Sequence, residues 1–435
     1  MRTIQGGVCR ALSLAVLCAC GKRAQLPVTA GMGPHPVLPA PQSSLIPTIN
    51  VVKAIGWTSG ARPVAGAGLR VAAFATDLSH PRWLHVLPNG DVLVAETNGP
   101  PSVTKGLRAW FFKHYQKKAG GAVPSANRIT LLRDVDGDGI VDVRRVLLHD
   151  LASPLGMALT GSTLYVANTN AVVAYPYVEG DTAITAASRV VLELPAGAVN
   201  RHWTRNIIVS LDGERMYIAV GSGSNIGEGG MEHEQGRAAI WELILATGVS
   251  RVLATGLRNP VGMAWEPSPG ALWTVVNERD ELGGDLVPDY LTAVKDGAFY
   301  GWPWSYYGPH VDSRVKPRHP EDVARAVVPD YALGSHTASL GLAWAAGSEL
   351  PPPFREGMFE GQHGSWNRTP RSGYKVIFVP FSRGNPSGDA IDVLTGFVNA
   401  QGEAGGRPVG VAIDRRGALL VADDVGNTVW RLTAR

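Results

Sequence analysis

Short runs of alternating apolar and polar residues return along this chain, and a tight turn precedes each of them. Clear examples are LPNGDVLVAE (87–96), TGSTLYVANTNAVVAYPY (160–177), SLDGERMYIAVGS (210–222), PGALWTVVNE (269–278) and DRRGALLVADDVGNTVWRL (414–432). Glycine turns that lead into Val, Leu, Ile and Tyr alternations are typical of β-hairpins. The pattern therefore predicts an all-β fold, a six-bladed β-propeller. A β-helix is the alternative, and it would show a shorter and stricter period.

One segment departs from the strand pattern. Residues 105–118 (KGLRAWFFKHYQKK) place Leu107, Trp110, Phe111 and Tyr115 at helical spacing, with basic residues between them. We expect a helical insertion packed over one face of the propeller. A second interpretation is a basic surface helix that docks on anionic lipid or on an electron-acceptor protein.

The N-terminus has the pattern of an export signal. An apolar run over 11–19 follows two arginines and ends at Cys20, and Leu-Cys-Ala-Cys fits a bacterial lipobox. We therefore expect a lipoprotein signal peptide over 1–19, acylation of Cys20 and attachment to the outer membrane in the periplasm. An ordinary secretory signal cleaved nearby is the alternative. The proline-rich stretch over 20–47 predicts a tether, and 48–435 the propeller domain.

Cysteine use and charge narrow the classes of function. All three cysteines, Cys9, Cys18 and Cys20, lie in the N-terminal segment, so the mature chain has no disulfide, thiol nucleophile or cysteine zinc site. Loss of residues 1–19 would lower the count of Lys and Arg from 40 to 38, against 37 acidic residues. A nearly neutral domain of this kind is not expected to bind nucleic acid.

A loop of alternating aspartates predicts a calcium site. The sequence DVDGDGIVD places Asp134, Asp136, Asp138 and Asp142 around two glycines, and carboxylates at this spacing can converge on one calcium ion. Arg145 stands where an EF-hand has its bidentate glutamate, so the loop is not an EF-hand. A turn with solvated aspartates is the alternative. A bound calcium would staple the loop rather than take part in chemistry.

A second constellation combines an anion-binding pair with an acidic loop. Arg258 and Asn259 lie on a short turn, and NERDELGGD (277–285) follows the next strand. Arginine grips carboxylates with a planar fork of donors, and the acidic loop offers oxygen ligands for calcium. Together they suggest a bound, multiply charged organic cofactor.

His202 is a candidate general base. It precedes a strand within NRHWTRN, between arginine and tryptophan, and a histidine at the mouth of a strand suits proton transfer at a pocket rim. A structural histidine is the alternative at such a position. Ser339 and Ser365 lack a nucleophile-elbow context, which disfavours a serine hydrolase.

Several long motifs resemble the soluble quinoprotein sugar dehydrogenases, which are six-bladed propellers that use pyrroloquinoline quinone. The motifs are NRITLLRDVDGDG, VGSGSNIGEGGMEHEQGRAAIWE, GLRNPVGMAWEP, NERDELGGDLVPDY, DGAFYGWP, GQHGSWNR and GRPVGVAIDRRGALLVADDVGNTVWR. They are most similar to the bacterial L-sorbosone dehydrogenase branch. The resemblance covers essentially all of 70–435.

The resemblance implies roles for individual residues. His202 would take the proton from the sugar hydroxyl, and Arg258 and Asn259 would hold the quinone, with Arg407 at its carboxylate side. Arg368 or Lys375 would replace the family's lysine near the quinone.

The same resemblance implies a calcium ion within the loop over 277–285. Its direct contacts would be the backbone carbonyls of Glu278 and Arg279. Asp280 and Asp285 would ligate the ion or balance its charge.

One position departs from the family pattern. Glucose-oxidising members carry an aspartate that orients the catalytic histidine, and here Ser222 follows Gly221. A serine adds no negative charge, so the imidazolium would be less stabilised. Either Glu228 or Glu232 takes that role, or the base works differently.

The resulting expectation is a lipid-anchored periplasmic dehydrogenase. It would oxidise an aldose or an aldosulose such as L-sorbosone to the acid or lactone, and pass electrons to a cytochrome c or to the quinone pool. A calcium-dependent sugar lactonase on a six-bladed propeller is the second hypothesis, and a non-catalytic propeller that binds a partner or glycan is the third.

Overall fold

The structure is a computed structural model that describes residues 23–42, 48–101, 107–268 and 270–435. Its strands are β1 Met32–Gly33, β2 Lys53–Ala54, β3 Val64–Ala65, β4 Leu69–Ala75, β5 Pro81–Val86, β6 Val92–Glu96, β7 Arg128–Arg133, β8 Val143–Leu148, β9 Met157–Thr160, β10 Thr163–Ala167, β11 Ala171–Pro176, β12 Arg189–Glu193, β13 Arg205–Val209, β14 Arg215–Val220, β15 Ala239–Ile244, β16 Ser250–Thr255, β17 Pro260–Glu266, β18 Ala271–Val276, β19 Pro288–Ala293, β20 Ser305–Tyr306, β21 His310–Val311, β22 Tyr331–Ser335, β23 Ser339–Trp344, β24 Gly357–Gln362, β25 Lys375–Ser382, β26 Asn385–Pro386, β27 Ile391–Thr395, β28 Glu403–Ala404, β29 Pro408–Ile413, β30 Leu419–Asp423 and β31 Thr428–Ala434. Its helices are α1 Leu107–Lys118 and α2 Pro320–Ala324, with 3₁₀ turns at Val28–Gly31 and Met231–Glu234.

The strands form six antiparallel blades of four strands each, and the predicted six-bladed β-propeller is confirmed. From the axis outwards the blades are blade 1 (β5, β6, β7, β8), blade 2 (β9, β10, β11, β12), blade 3 (β13, β14, β15, β16), blade 4 (β17, β18, β19, β22), blade 5 (β23, β24, β25, β27) and blade 6 (β29, β30, β31, β4). β1 extends blade 4 and β3 extends blade 5. The predicted helical insertion is present as α1, between the second and third strands of blade 1.

Burial decreases from the middle strands to the outer ones. All five residues of β6 are buried, as are all five of β30, whereas no residue of the outer strand β12 is. A middle strand packs against a neighbouring blade on each face, so both of its faces must be apolar. The inner strands approach closely: a Cβ atom on Gly341 would lie 2.1 Å from the carbonyl oxygen of Val409 in the next blade.

The ring closes where the two ends of the domain meet. β4, from the N-terminal side, pairs antiparallel with the C-terminal strand β31, with Leu69 opposite Ala434 and Ala75 opposite Val429. Blade 6 is therefore built from both ends of the chain. This pairing removes the free edges that an open sheet would expose.

Strand direction alternates across each blade, and this sorts the loops between two faces. The loop before an inner strand and the loop after the second strand lie at one face, called here the upper face. The hairpins between first and second strands, and between third and fourth strands, lie at the other, the lower face. α1 projects from the upper face, because it joins β6 to β7.

The part of the predicted tether that the structure describes lies against the propeller. β1 adds to the edge of blade 4, the Ala24 N–H donates to Thr369 O, and the Gln42 N–H donates to Leu282 O, both at 2.9 Å. Residues 23–42 thus contain a 3₁₀ turn and a short strand, and they are docked on the propeller rather than free. Cys20 and the signal segment over 1–19 lie outside the described residues.

Within the described residues, no helix has the length and apolar character needed to cross a membrane.

Glu360 gives the propeller a pH-dependent stability. Its side chain is buried on β24, one carboxyl oxygen has no partner, and burial raises the pKa of this group from 4.5 to about 8. An acid whose pKa is raised on folding stabilises the protein fully below its unfolded pKa and loses this contribution as the pH rises through the folded pKa.

We therefore expect the free energy of unfolding to fall between pH 4.5 and 8, and this fall to be smaller in Glu360→Gln. Denaturant unfolding at pH 5, 6.5 and 8 measures it. Glu193→Gln, at an exposed position on β12, is the control and should follow the parent. An equally steep fall in Glu360→Gln would show that the buried carboxyl is not its source.

Candidate active site

The topology gathers most of the predicted residues at the upper face. His202 precedes the inner strand β13, Arg258 and Asn259 precede β17, and Arg407 precedes β29. The acidic loop over 277–285 follows β18, a second strand, and so ends at the same face. Residues that are 205 positions apart in the chain therefore surround one axis.

Ser222 fixes the orientation of the His202 ring. Nδ1 of His202 lies 2.9 Å from both the carbonyl oxygen and the hydroxyl oxygen of Ser222, and that hydroxyl donates to Ser224 O at 2.7 Å. Because a carbonyl oxygen can only accept, Nδ1 carries the hydrogen and Nε2 carries the lone pair. Among the described residues, none hydrogen-bonds to Nε2, so this atom is available to a substrate.

The surroundings of His202 keep the imidazole neutral. Burial lowers its pKa well below the ordinary 6.5, and the cations of Arg258 and Arg201 lower it further, while the hydrogen bond to the Ser222 carbonyl acts in the opposite direction. A neutral imidazole with an open lone pair can accept a proton at neutral pH.

No carboxylate of the described residues bonds to His202, and Glu234 supports the site indirectly. Glu228 accepts from the backbone N–H groups of Asn225 and Ile226. The exposed Glu232 makes no contact with His202. Glu234 is buried and accepts from Gly223 N–H at 2.7 Å and from the Ser224 hydroxyl at 2.5 Å. It thereby holds the loop that carries Ser222, a role that sequence reasoning did not assign.

The guanidinium group of Arg258 bonds entirely to other groups of the protein. Its side chain is 1% exposed, and all three guanidinium nitrogens donate to protein oxygens. The closest contacts are Glu278 O at 2.7 Å, the Asn225 side-chain oxygen at 2.8 Å and Asn277 O at 3.1 Å. This differs from the expected direct grip on a cofactor, because no donor is left. Arg258 instead fixes the loops that frame the site.

Asp280 is the anionic centre of this network. Its carboxylate accepts from Asn367 at 2.9 Å and Arg201 at 3.0 Å, and it lies 3.4 Å from Arg258 and 3.7 Å from the His336 ring. Burial would raise the pKa of Asp280, but the cations of Arg258 and Arg201 hold it below the ordinary value. Asp280 is therefore ionised and joins loops from blades 3, 4 and 5.

Glu278 and Arg279 form a buried ion pair. The Arg279 Nε donates to the Glu278 carboxylate at 3.0 Å. Its other nitrogens donate to Pro303 O and Ser305 O, and one also lies 3.3 Å from Asp312. Neither side chain is more than 3% exposed, so these two predicted residues support the loop from beneath.

Asp285 and Arg368 bind the N-terminal segment. Asp285 accepts from the Gln25 N–H at 2.7 Å and lies 3.5 Å from Arg368. Arg368 donates to Leu26 O and to Pro370 O, both at 2.8 Å. The two residues expected near the cofactor thus dock residues 25–26 on the upper face.

Most of the oxygen atoms expected to bind calcium in the loop over 277–285 are paired with arginines. The carbonyl oxygen of Glu278 accepts from the Arg258 cation, and the three carboxylates of Glu278, Asp280 and Asp285 each pair with arginine. The Arg279 carbonyl oxygen and one carboxyl oxygen of Glu278 have no partner among the described residues, so calcium in this loop stays a prediction.

The aspartate loop lies at the opposite, lower face, in the hairpin between β7 and β8. Ligand atoms of Asp134, Asp136 and Asp138 lie within 4.8 Å of one another, an arrangement that could hold a cation. Asp142 accepts from the Val135 N–H and closes the loop instead. Calcium in this loop stays a prediction, and its place is remote from His202.

Arg407 keeps a free donor at the upper face. Its Nε donates to His363 O at 2.9 Å and its Nη2 to Gly364 O at 3.0 Å, while the guanidinium lies 5.4 Å from the centre of the Tyr374 ring. Among the described residues, none bonds to Nη1. The side chain is half-buried, which leaves this donor for a ligand.

A second polar cluster surrounds Asp424, and sequence reasoning did not find it. Its carboxylate accepts from Arg82 at 2.5 Å and from the His363 Nε2 at 2.9 Å, and His80 lies 3.4 Å away. Burial opposes ionisation, yet His363, His80 and Arg82 hold the pKa of Asp424 well below its usual range. Arg82 lies 5.7 Å from the ring of Trp203, so the cluster adjoins the strand mouth of His202.

Asn259 lies against His202 with an unpaired polar atom. Its side-chain oxygen is buried and has no partner among the described residues. A Cβ atom on Gly221 would lie 2.3 Å from that oxygen and 2.7 Å from the Cβ of His202. Gly221 is therefore required for the close approach of these two side chains.

The face fits an anionic quinone, although with a different set of arginines from the expected one. Arg201 is 36% exposed, and its Nε and Nη1 have no partner among the described residues, so it offers N–H groups to a ligand, as Arg407 does. The unpaired oxygen of Asn259 offers an additional contact. Arg201 and Arg407, rather than Arg258 and Arg368, would present donors to the carboxylates of a cofactor. The adjacency of Arg201 to His202 was the only signal in the sequence.

Comparison with known proteins gives two family matches. The TrAA12-like profile matches residues 63–289 and 319–435, and the Glucose / Sorbosone dehydrogenase profile matches residues 244–362. The second description names both substrates, so the expected placement in the sorbosone branch stays a prediction.

The chain matches only part of the length of its curated relatives. An uncharacterized protein of Borreliella burgdorferi is 26% identical over 241 residues, which cover 55% of this chain and 62% of the relative. The pyrroloquinoline quinone-dependent pyranose dehydrogenase of Coprinopsis cinerea is 25% identical over 358 residues, which cover 72% of this chain and 44% of the relative. The chain thus spans less than two thirds of the length of these relatives.

Solved structures share the fold. The holo form of the pyranose dehydrogenase PQQ domain from Coprinopsis cinerea has a TM-score of 0.67 and 22% identity, over 88% of this chain and all of that one. The calcium structure of a Trichoderma reesei Family AA12 enzyme has a TM-score of 0.69 and 20% identity, over 86% and 97%. Because the TrAA12-like profile spans more than half of the chain, this protein belongs to the TrAA12-like family.

Proposed function

We propose that this protein oxidises the hydroxyl-bearing carbon of an aldose or aldosulose, such as L-sorbosone, to the acid or lactone with bound pyrroloquinoline quinone. The observation that carries the proposal is the state of His202. Its Nδ1–H is held by Ser222, its Nε2 is open, and it shares one face with the free donors of Arg201 and Arg407.

The residues of the chain would divide the work as follows. Arg201, Arg407 and Asn259 would bind and orient the quinone, which supplies a two-electron acceptor when bound. His202 would take the hydroxyl proton of the sugar at Nε2. The resulting imidazolium keeps its Nδ1–H on the Ser222 carbonyl, so the ring stays in place through the transfer.

Two features of the site bear on the alternatives. The proposed reaction does not use a calcium ion at 277–285, because the carboxylates of that loop are paired with arginines. A sugar lactonase would need a metal-bound water at such carboxylates, so the same pairing favours the dehydrogenase. A non-catalytic propeller would have no use for an open, neutral histidine beside free arginines.

The location follows from the N-terminal sequence. The lipobox ending at Cys20 supports an outer-membrane lipoprotein that faces the periplasm, where a cytochrome c or the quinone pool would take the electrons.

Absorbance titration tests the enzyme and its site together. The parent should bind added quinone, and sugars should then bleach its absorbance. His202→Gln should bind quinone normally but reduce it about 10²–10⁴-fold more slowly, the usual contribution of a general base. Arg407→Ala should weaken quinone binding by about 1.5–3 kcal/mol, as expected for a charge-assisted contact.

Glu214→Gln, at an exposed position in the lower-face hairpin between β13 and β14, is the control and should match the parent. If the parent binds quinone but no aldose or aldosulose bleaches it, the dehydrogenase proposal fails. A His202→Gln protein at the parent rate would place the base elsewhere.

The pH dependence of reduction reports the charge around His202. Because its pKa lies well below 6.5, the rising limb of the parent profile should lie in the acidic range. A carboxylate at position 222 favours the imidazolium and raises the pKa, so Ser222→Asp should move this limb to higher pH. Ser222→Asn, similar in size and uncharged, should leave it near the parent position. Stopped-flow reduction across pH measures all three, and an unmoved limb in Ser222→Asp contradicts the proposed contact.

Fractionation tests the anchor. The parent should partition with membranes, and Cys20→Ala should move to the soluble fraction or remain as the unprocessed precursor. Equal partition and equal processing of the two proteins would show that Cys20 is not acylated.

A further inference from the structure

The insertion between β6 and β7 gives the upper face a strong and one-sided charge. Between Thr97 and Asn127 the sequence has five lysines and arginines and no aspartate or glutamate. Lys113, Lys117 and Lys118 on α1 are exposed. Lys113 and Lys117 are one helical turn apart and therefore lie on the same side of the helix.

The base of this insertion is fixed beside the candidate site. The Asn98 side chain donates to Gly121 O at 3.0 Å and to Val123 O at 2.7 Å, which closes the insertion. A Cβ atom on Gly120 would lie 2.9 Å from side-chain atoms of Ala54 and Val425, and Val425 follows Asp424 of the buried cluster. The lysines therefore belong to the same face as His202 and Arg407.

A second observation places the N-terminal chain on this face. Residues 24–26 are held by Thr369, Asp285 and Arg368, on the blade 4 and blade 5 side of the axis, whereas α1 rises from blade 1. The four residue steps from Cys20 to Ala24 span at most about 14 Å. An acyl chain on Cys20 would therefore hold the upper face close to the lipid surface.

We propose that the upper face is a membrane-docking face, and that its occupant is an anionic phospholipid surface bound through Lys113, Lys117 and Lys118. The basic helix and the docked N-terminal segment lie on different sides of the axis. Together they turn the face with the candidate site towards the bilayer. Charge complementarity favours anionic lipid, because no acidic residue of the insertion offsets its cations.

Vesicle co-sedimentation tests this surface with the full-length Cys20→Ala protein, so that acylation plays no part. The protein should bind vesicles of phosphatidylglycerol and phosphatidylcholine more strongly than vesicles of phosphatidylcholine alone, and added salt should weaken the difference. Neutral vesicles measure the contribution of the N-terminal apolar run, which all variants share. Vesicle binding does not depend on catalysis, so its failure is distinct from failure of the dehydrogenase proposal.

The decisive comparison uses two triple variants with the same change in charge. Lys113→Glu, Lys117→Glu and Lys118→Glu together should lower the partition to anionic vesicles by on the order of 10²-fold or more, since each basic residue near such a surface contributes about fivefold. Arg215→Glu, Lys295→Glu and Arg415→Glu change exposed residues at lower-face turns, and this variant should keep most of the binding.

Equal losses in the two variants would overturn the proposal, because only net charge would matter. Equal binding to anionic and neutral vesicles would overturn it as well. The parent protein could instead fail to bind vesicles and bind an acidic cytochrome c through the three lysines. In that case the face would dock a protein, and the membrane proposal would be wrong.

Discussion

The arrangement of this protein depends on closure of the ring by the pairing of β4 with β31. An open stack of blades would expose the apolar faces of its first and last sheets, together with unpaired strand edges. Pairing of Leu69–Ala75 with Thr428–Ala434 covers both at once. Closure also fixes the order of the six inner strands around one axis. All six inner strands start at the same face, so the loops that precede them lie together at that face. The candidate site exists only because of this shared face.

The upper face is held together by buried charges rather than by apolar packing. Arg258, Arg279 and Arg368 are each at most 1% exposed and bond to backbone carbonyls and carboxylates of neighbouring loops. Removing one partner of a buried ion pair leaves an uncompensated charge, which is strongly destabilising. These arginines therefore fix the loop geometry, and the partly exposed Arg201 and Arg407 keep N–H groups that have no partner among the described residues. Asp280 connects the buried arginines to the partly exposed ones, because it pairs with the buried Arg258 and with the partly exposed Arg201.

The state of His202 follows from the same network. Two nearby cations and burial keep its imidazole neutral, and a backbone carbonyl, rather than a carboxylate, orients its ring. A carbonyl fixes the tautomer without adding the negative charge that would raise the pKa. Glu234 accepts from the Gly223 N–H, and it thereby holds the loop that carries Ser222. The His202 ring thus keeps its orientation although the chain lacks the aspartate of the glucose-oxidising pattern.

The sequence alone determined the blade architecture and the list of chemically important motifs, because hairpin periodicity and turn residues are local signals. It named His202 as the candidate base, and it named Arg258 and Asp280, which the structure brings together at the upper face. It could not decide which arginines are free, since Arg201 and Arg258 look alike until tertiary contacts show that one bonds entirely to protein. The Asp424 cluster could not be predicted from the sequence either. Its four members come from blades 1, 5 and 6, and only ring closure brings them together. The docking of residues 23–42 was decided in the same way, by Asp285 and Arg368, which are distant in sequence and adjacent in space.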